Sequence, residues 1–554
     1  MDRAPEREKS HQNFRLYGTL AASAASLYFF LAGLAFLTKT GVENDETIFA
    51  MAFLKPYGGA SIIRIGHSRI PLMIMSYIGT LKAWIYRPLL RLFGTGIVVI
   101  RLPMLLAGVA SVWLFYLFLR RVAGGRAAVI GCALLAADSS YLLTICYDWG
   151  PVALQHLLLV GGMYLLVRFY QQRSYQTLFW GFFLLGMGLW DKALAAWMLS
   201  GIGLAASAVF PGRILEVINK RRIAVAMLGF LLGALPLEVY NIENDWITLA
   251  GNFKKDTSDI SGKARMLMNT ARGGGLFGWM FDEGWQTPAP HPPRGLVQKA
   301  SAEISSLAGH PRQHLLFDAF LLALALAPLA RGDALRAILF AVLAMAVAWV
   351  QMAITASAGG SVHHTILLWP FPQLVVGVSL AAASHRLGRA GIPALAVVGS
   401  VLTISGVLVT NEYHYVSFRY GGAPVWSEAV FTLADYMKDM PAGNIYCVDW
   451  GIFDSLRLLD GGKLPLADGS DPISKPQLSP EDRQMVGRMV AEPGAVFVAH
   501  TKGFENFTGV NEKLVQFAAE AGYGRLMMAV IPDTYGRQAF EVYHFVATRS
   551  DKVR

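Results

Sequence analysis

The sequence predicts an all-α polytopic membrane bundle of about eleven transmembrane helices, followed by a small C-terminal α/β soluble domain. Three observations predict it. Hydrophobic residues make up 54% of the 554 residues and charged residues only 16%, where a soluble chain carries roughly 25% charged. The mean hydropathy is +0.42. The apolar residues gather into runs of about 17 to 25, long enough to cross a bilayer core, and the composition changes in the tail. A disordered chain, a collagen-like fibre and an ordinary cytosolic enzyme are excluded on the same grounds.

The runs place spans near 15–39, 97–119, 126–145, 150–169, 176–190, 193–210, 223–241, 314–330, 335–355, 365–384 and 391–410. The two that meet at Asp191-Lys192 are short, and one long bent helix is the alternative there. The charged N-terminus MDRAPEREKSHQNFR precedes an apolar run without a small-residue cleavage site, so the first span is expected to be retained. The segment 70–92 is apolar but interrupted by Lys82, Arg87, Pro88 and Arg91, and reads as interfacial helices lying on the membrane surface.

Alternation can be checked against charge. With the N-terminus in the cytoplasm, the inner loops are RRVAGGR (120–126), RFYQQR (168–173), GRILEVINKRR (212–222), RGDALR (331–336) and HRLGR (385–389), each with two to four Lys or Arg. The outer turns near 145–149 and 356–364 hold none. The formal net charge of +10 therefore reads as topology, and no nucleic-acid motif accompanies it. The outer face receives a first loop at 40–96, a second at 242–313 and the tail 411–554.

In the tail, NIYCVDW (444–450), AVFVAH (495–500), RLMMAVIP (525–532) and AFEVYHFVA (539–547) read as strands. WSEAVFTLADYMKDM (426–440) and LVQFAAEAG (514–522) read as helices. The 242–313 loop is rich in Gly and Pro (GGG at 273–275, PAPHPP at 288–293) and is expected to be partly mobile. Cys132, Cys146 and Cys447 form no disulfide framework and no zinc-ligand spacing.

Several charged groups at outer span ends could carry chemistry. Glu43-Asn44-Asp45-Glu46 follows the first span, and a carboxylate there can act as a general base on a substrate at the membrane surface; equally, Asn44 or Asp45 could cap a helix TIFAMAFL. Asp148, in TICYDWGPVALQ, marks a site at a span boundary or caps the helix that follows Pro151. Asp191-Lys192 is costly among apolar residues unless paired or used, and Lys192 could hold a lipid phosphate. Lys55, Arg64, His67, Arg69 and Lys82 suit anionic lipid head groups, by specific binding or by simple adhesion. His363-His364 could pack at the interface or ligate a metal, though no third ligand is evident. Asp282-Glu283, in WMFDEGW, is a rival acidic pair expected on an amphipathic loop helix.

Taken in order, these motifs resemble one family. GVENDETIFAMAF (41–53) resembles the "DE-A-x-Y-A" element after the first span of GT-C-class membrane glycosyltransferases, especially the family 39 and protein O-mannosyltransferase-like group. HSRIPL (67–72) is similar to its "H-P-P-L" element, with Ser-Arg in place of Pro-Pro. VIRLPMLLAGVASVWLFYLFLRRVAGGRAAVIGCALLAADSSYLL (99–143) resembles its "RLP" stretch and the two helices after it. YDWGPVALQHLLLVGGMYLL (147–166) resembles the helix entered by the second acidic residue, and GLWDKALAAWML (188–199) the Lys turn, without its Gly-Pro. HHTILLWPFPQLVVGVSL (363–380) resembles a later helix of the same family.

The resemblance implies a GT-C-like bundle over 1–410 with an extracytoplasmic domain over 411–554, in a multi-pass protein of a bacterial inner (plasma) membrane. It implies transfer of a sugar from a polyprenyl-phosphate donor to a lipid, glycan or protein hydroxyl at the outer face. Asp45, Glu46 and Asp148 are then the expected catalytic residues. Arg64, His67, Arg69, Lys82, Lys192, His363 and His364 are the expected substrate-binding residues. Expected partners are the donor and membrane lipid, not nucleic acid. No cofactor is assigned, and a divalent metal is left open. A secondary transporter or lipid flippase is the alternative reading, although no internal repeat of the kind that builds transporters is present.

Overall fold

A computed structural model describes residues 4–284, 289–441 and 443–548, with side chains from Leu16 onward. Residues 285–288 of the second outer loop (with Trp285 of WMFDEGW and Pro288 of PAPHPP), residue 442, the first three residues and the tail beyond 548 lie outside the described residues.

The apolar runs become helices because lipid offers no partner to backbone N–H and C=O groups, and a helix satisfies its own. Among the described residues seven are long and apolar enough to cross a membrane: Leu16–Phe36, Ile97–Ala123, Ala153–Gln172, Lys220–Glu243, Asp333–Ala353, Val362–Arg386 and Gly388–Tyr420. Two bent pairs, Gly125–Ala137 with Ser139–Cys146 (60°) and Ala195–Val209 with Pro211–Val217 (96°), raise the number to nine. The two remaining expected spans are the shorter helices Tyr175–Asp191 and Leu316–Leu326. Each apolar run therefore coincides with a helix or a bent pair. At Asp191-Lys192 two separate helices are found. Lys192 is extended (φ −152°, ψ 118°), and its backbone bridges to Ile78 of the first outer loop.

The helices pack through small residues. Gly186 and Gly233 let Tyr175–Asp191 and Lys220–Glu243 meet backbone to backbone, since a Cβ at either would run into the facing carbonyl of Phe230 or Phe183.

The first outer loop differs from expectation. Residues 70–75 are strand, not interfacial helix: Ser61–Ile65 and Ser68–Met75 form an antiparallel hairpin with Arg64 opposite Arg69, and Ile78–Gly79 adds a third short strand. Gly66 supplies the positive φ (57°) of the turn. Within 70–92 the helical part begins at Leu81, in the helix Leu81–Phe93, which leaves Leu92 and Phe93 exposed.

The second outer loop is more regular than its Gly and Pro content suggests, with helices Ile247–Asn252, Ile260–Ala271 and Gly295–Leu307. No helix carries Asp282-Glu283. Phe281 bridges to Gly422, and Asp282 pairs with Arg537 of the tail at 3.4 Å.

The tail is α/β as expected. Its five-stranded sheet has the order Leu466–Asp468, Ile445–Cys447, Val496–His500, Gln538–Ala547, Tyr523–Pro532. The first three strands are parallel and the last two antiparallel to their neighbours. Leu466–Asp468 was not foreseen. The last span, expected to end at 410, runs on to Tyr420. The tail grips the start of the first outer loop: Gly41 N–H donates to the Trp426 carbonyl (2.8 Å), and Ser455 Oγ donates to the Val42 carbonyl (3.2 Å).

Candidate active site

The acidic quartet after the first span divides its labour. Glu43, not Asn44 or Asp45, caps the one-turn helix Asn44–Thr47. Its carboxylate accepts from the Asp45 N–H (2.7 Å), and Glu46 returns a bond to the Glu43 N–H (3.2 Å). Glu46 is also clamped by Arg101, which donates Nε to Oε2 (2.9 Å) and Nη2 to Oε1 (2.5 Å). The same guanidinium donates to the carbonyls of Leu37 (2.8 Å) and Gly41 (2.6 Å) and lies 4.6 Å over the Tyr147 ring. Arg101 thus fixes the path of the chain as it leaves the bundle.

Asp45 is what this scaffold leaves over. It is the one member of the quartet that is only half-buried. Among the described residues its carboxylate makes no hydrogen bond and no ion pair. Burial of its surroundings raises its pKa above the ordinary carboxylate value, with the Lys192 and Lys82 charges opposing and Asp148 adding to the rise. These groups therefore form one electrostatic cluster.

Asp148 takes the capping role open to it and adds an ion pair. Held at a positive φ (44°), it accepts the N–H groups of Val152 (2.9 Å) and Ala153 (2.8 Å) on Oδ1 and caps the helix Ala153–Gln172. Its Oδ2 stands 2.5 Å from Lys82 Nζ, and both side chains are buried. Lys82 also lies 4.3 Å over the Phe49 ring. Two residues on, Gly150 (φ 72°) offers its carbonyl to Lys192 Nζ. A Cβ on Gly150 would strike the His363 ring. Lys192 is buried, and burial pushes its ammonium down to about 8. His363 packs 4.4 Å from Trp149, and Ser361 Oγ lies 3.1 Å from His363 Nδ1 and 3.2 Å from His364 Nδ1.

The structure therefore brings together Asp45, Asp148, Lys82, Lys192, His363 and His364. It turns Glu46 away, onto Arg101. It sets Arg64, His67 and Arg69 apart on the hairpin. One participant, Arg101, is marked in the sequence only as the Arg of the RLP stretch. Glu43 is a member of the quartet whose part is capping. Asp191, expected to be paired with its neighbour or used, is buried with neither oxygen hydrogen-bonded, near Lys82, Lys192 and Asp148. For the divalent metal left open above, the described residues contain no group of three or more His, Cys, Asp or Glu arranged to hold one.

Comparison with known proteins agrees with this architecture. Residues 79–240 match the family "Dolichyl-phosphate-mannose-protein mannosyltransferase". No curated protein sequence matches the chain. The fold is similar to ArnT from Cupriavidus metallidurans bound to undecaprenyl phosphate, with a TM-score of 0.57, 13% identity, and 95% of this chain and 98% of that chain covered. It is also similar to the oligosaccharyltransferase AglB from Archaeoglobus fulgidus in complex with an inhibitory peptide and a dolichol-phosphate, with a TM-score of 0.51, 12% identity, and 97% and 75% covered. The chain thus shares the fold of these two solved proteins over nearly its whole length.

Proposed function

We propose that the protein transfers a sugar from a polyprenyl-phosphate donor to an acceptor hydroxyl at the outer face of a bacterial inner membrane, with the tail on that side. The observation that carries this reading is the unpaired Asp45 carboxylate, held on a rigid turn at the edge of the bundle and facing a buried set of cations. Asp45 takes the proton of the acceptor hydroxyl. The hydroxyl oxygen attacks the anomeric carbon, a new C–O bond forms, and the C–O bond to the lipid phosphate breaks. Negative charge grows on the departing phosphate, and Lys192 lies where a cation can stabilise it, with His363 and His364 beside it. Lys82 and Asp148 neutralise each other and hold the floor of the cluster. Undecaprenyl phosphate is bound in the ArnT structure and a dolichol-phosphate in the AglB structure, which supports the choice of a donor linked to a polyprenyl phosphate.

The test is mass spectrometry of glycolipids and envelope polymers from cells with and without the gene. A glycan that loses one sugar residue in the deletion strain, and regains it with the wild-type gene but not with Asp45→Asn, supports the reading. Identical profiles in all strains count against it.

A further inference from the structure

We propose that a second site, walled off from the Asp45 cluster, binds a phosphate-bearing group in a cationic cleft between the first outer loop and the tail. The proposal does not rest on sugar transfer. The cleft has a volume of about 530 Å³ and is lined by Arg69, Arg87, Arg91 and Lys463, with His67 at the hairpin turn and Asp460 as the single carboxylate. That carboxylate is already engaged, since its Oδ2 accepts the backbone N–H groups of Lys463 (2.7 Å) and Leu464 (2.5 Å). Among the described residues, none of the four cations enters an ion pair.

The guanidinium groups are positioned rather than loose. Arg69 lies 4.5 Å over the Tyr57 ring, and its Nε is buried without a hydrogen-bond partner. Arg87 lies 4.9 Å over the Phe53 ring. Stacking occupies the faces of these planar groups and leaves their N–H edges for a ligand. Several forks converging on one cavity suit the many oxygens of a phosphate better than a single carboxylate. Four cations facing one carboxylate leave like charges that repel one another, and an anion in the cleft relieves that repulsion.

Simple adhesion to a flat membrane does not account for the arrangement, because the cleft is concave and the tail forms one wall. At that wall Gly462 (φ 73°) comes so close that a Cβ would stand 2.6 Å from the Lys55 backbone nitrogen. The one-turn helix Ile48–Ala52 separates the cleft from the charged cluster. Its Phe49 touches Lys82, while Ala52 lines the cleft. Exposed Leu92 and Phe93, next to Arg91, set the cleft at the membrane edge, within reach of a lipid head group as well as of a soluble phosphate.

The experiment measures binding by the purified full chain in an uncharged detergent, with no sugar donor present. Inorganic pyrophosphate is one probe, and mixed micelles containing phosphatidic acid are the other. Arg69→Gln, Arg91→Gln and Lys463→Gln are compared with wild type. Arg91 and Lys463 are exposed, so their variants keep the fold, checked by unchanged thermal unfolding. Each variant is expected to bind about tenfold or more weakly, as for loss of one charged hydrogen bond. Binding of pyrophosphate supports a soluble source of the phosphate, and binding of phosphatidic acid alone supports a lipid head group. Failure of wild type to bind either probe, or equal binding by all variants, overturns the proposal. Loss of transfer in Asp45→Asn does not alter this readout, so the two readings fail separately.

Discussion

Arg101 holds Glu46 through two hydrogen bonds of 2.9 and 2.5 Å and leaves Asp45, one residue earlier, without a partner. Two adjacent acids thus have opposite fates. The buried ion pair makes the turn rigid, and the turn presents the free carboxylate.

Asp45→Asn keeps the shape of the side chain and removes the base. Turnover is expected to fall by about 10²–10⁴-fold while thermal unfolding in detergent stays unchanged. Glu46→Gln should behave in the opposite way. It leaves Arg101 buried without its counter-charge, at a cost of about 3–5 kcal/mol, and thermal unfolding reads that loss. Normal stability in Glu46→Gln together with lost activity would return Glu46 to a direct chemical role.

The pH dependence follows from two shifts of opposite sign. Burial raises Asp45, so the base is lost to protonation on falling pH at values above the ordinary carboxylate pKa of about 3.9. Burial lowers Lys192 to about 8, so its charge is lost as pH rises through that value. A bell-shaped profile of kcat/KM is expected, and in Lys192→Met its alkaline limb should disappear.

Lys192→Met should also separate the two substrates. A cation that faces the leaving phosphate acts on donor KM and on kcat, whereas acceptor KM should change little. Steady-state kinetics with each substrate varied in turn measures this. Unchanged donor parameters would confine Lys192 to its bond with the Gly150 carbonyl.

Lys82 and Asp148 are buried partners 2.5 Å apart, and each change alone strands a charge. Lys82→Met and Asp148→Asn should each destabilise by about 3–5 kcal/mol. The double variant should be more stable than the sum of the two losses predicts. Unfolding midpoints of the four proteins complete the cycle, and strict additivity would argue against a coupled pair.

Orientation is open to direct measurement. Reporter fusions after Gly124, Arg221 and Arg389 are expected to report the cytoplasm, and fusions within 242–313 or after residue 425 the outside. A cytoplasmic signal from the tail would separate it from the donor face.

The bundle was legible because a membrane-spanning helix writes its length directly into the sequence. The strands of the tail were legible for a similar reason, since short β-branched and aromatic runs are bounded by turn residues. The hairpin at 61–75 was not legible. Its second strand is almost wholly apolar and contains Pro71, so the alternation that marks a strand is absent. Leu466–Asp468 is only three residues long, too short to carry a pattern. At the site, Asp45, Asp148 and Lys192 could be read from their position at span ends. Arg101 could not, because its bond to Glu46 spans 55 residues, and such a pairing leaves no local signature. The separation of Arg69 from Lys82 was equally hidden, since both lie in one basic stretch, yet Arg69 falls on the strand Ser68–Met75 and Lys82 on the helix Leu81–Phe93.

The bond from Ser455 to the carbonyl of Val42 joins residues 413 positions apart, and it has a consequence for biogenesis. The first span emerges from the ribosome early, but the turn carrying Asp45 lacks this support until most of the tail has been synthesised and, in the proposed topology, has crossed to the outer side. A nascent chain, or one truncated before residue 455, can insert its helices while its acidic turn stays unbraced. Catalytic competence is therefore expected to appear late and abruptly in the life of each molecule, after translocation of the tail rather than after insertion of the bundle.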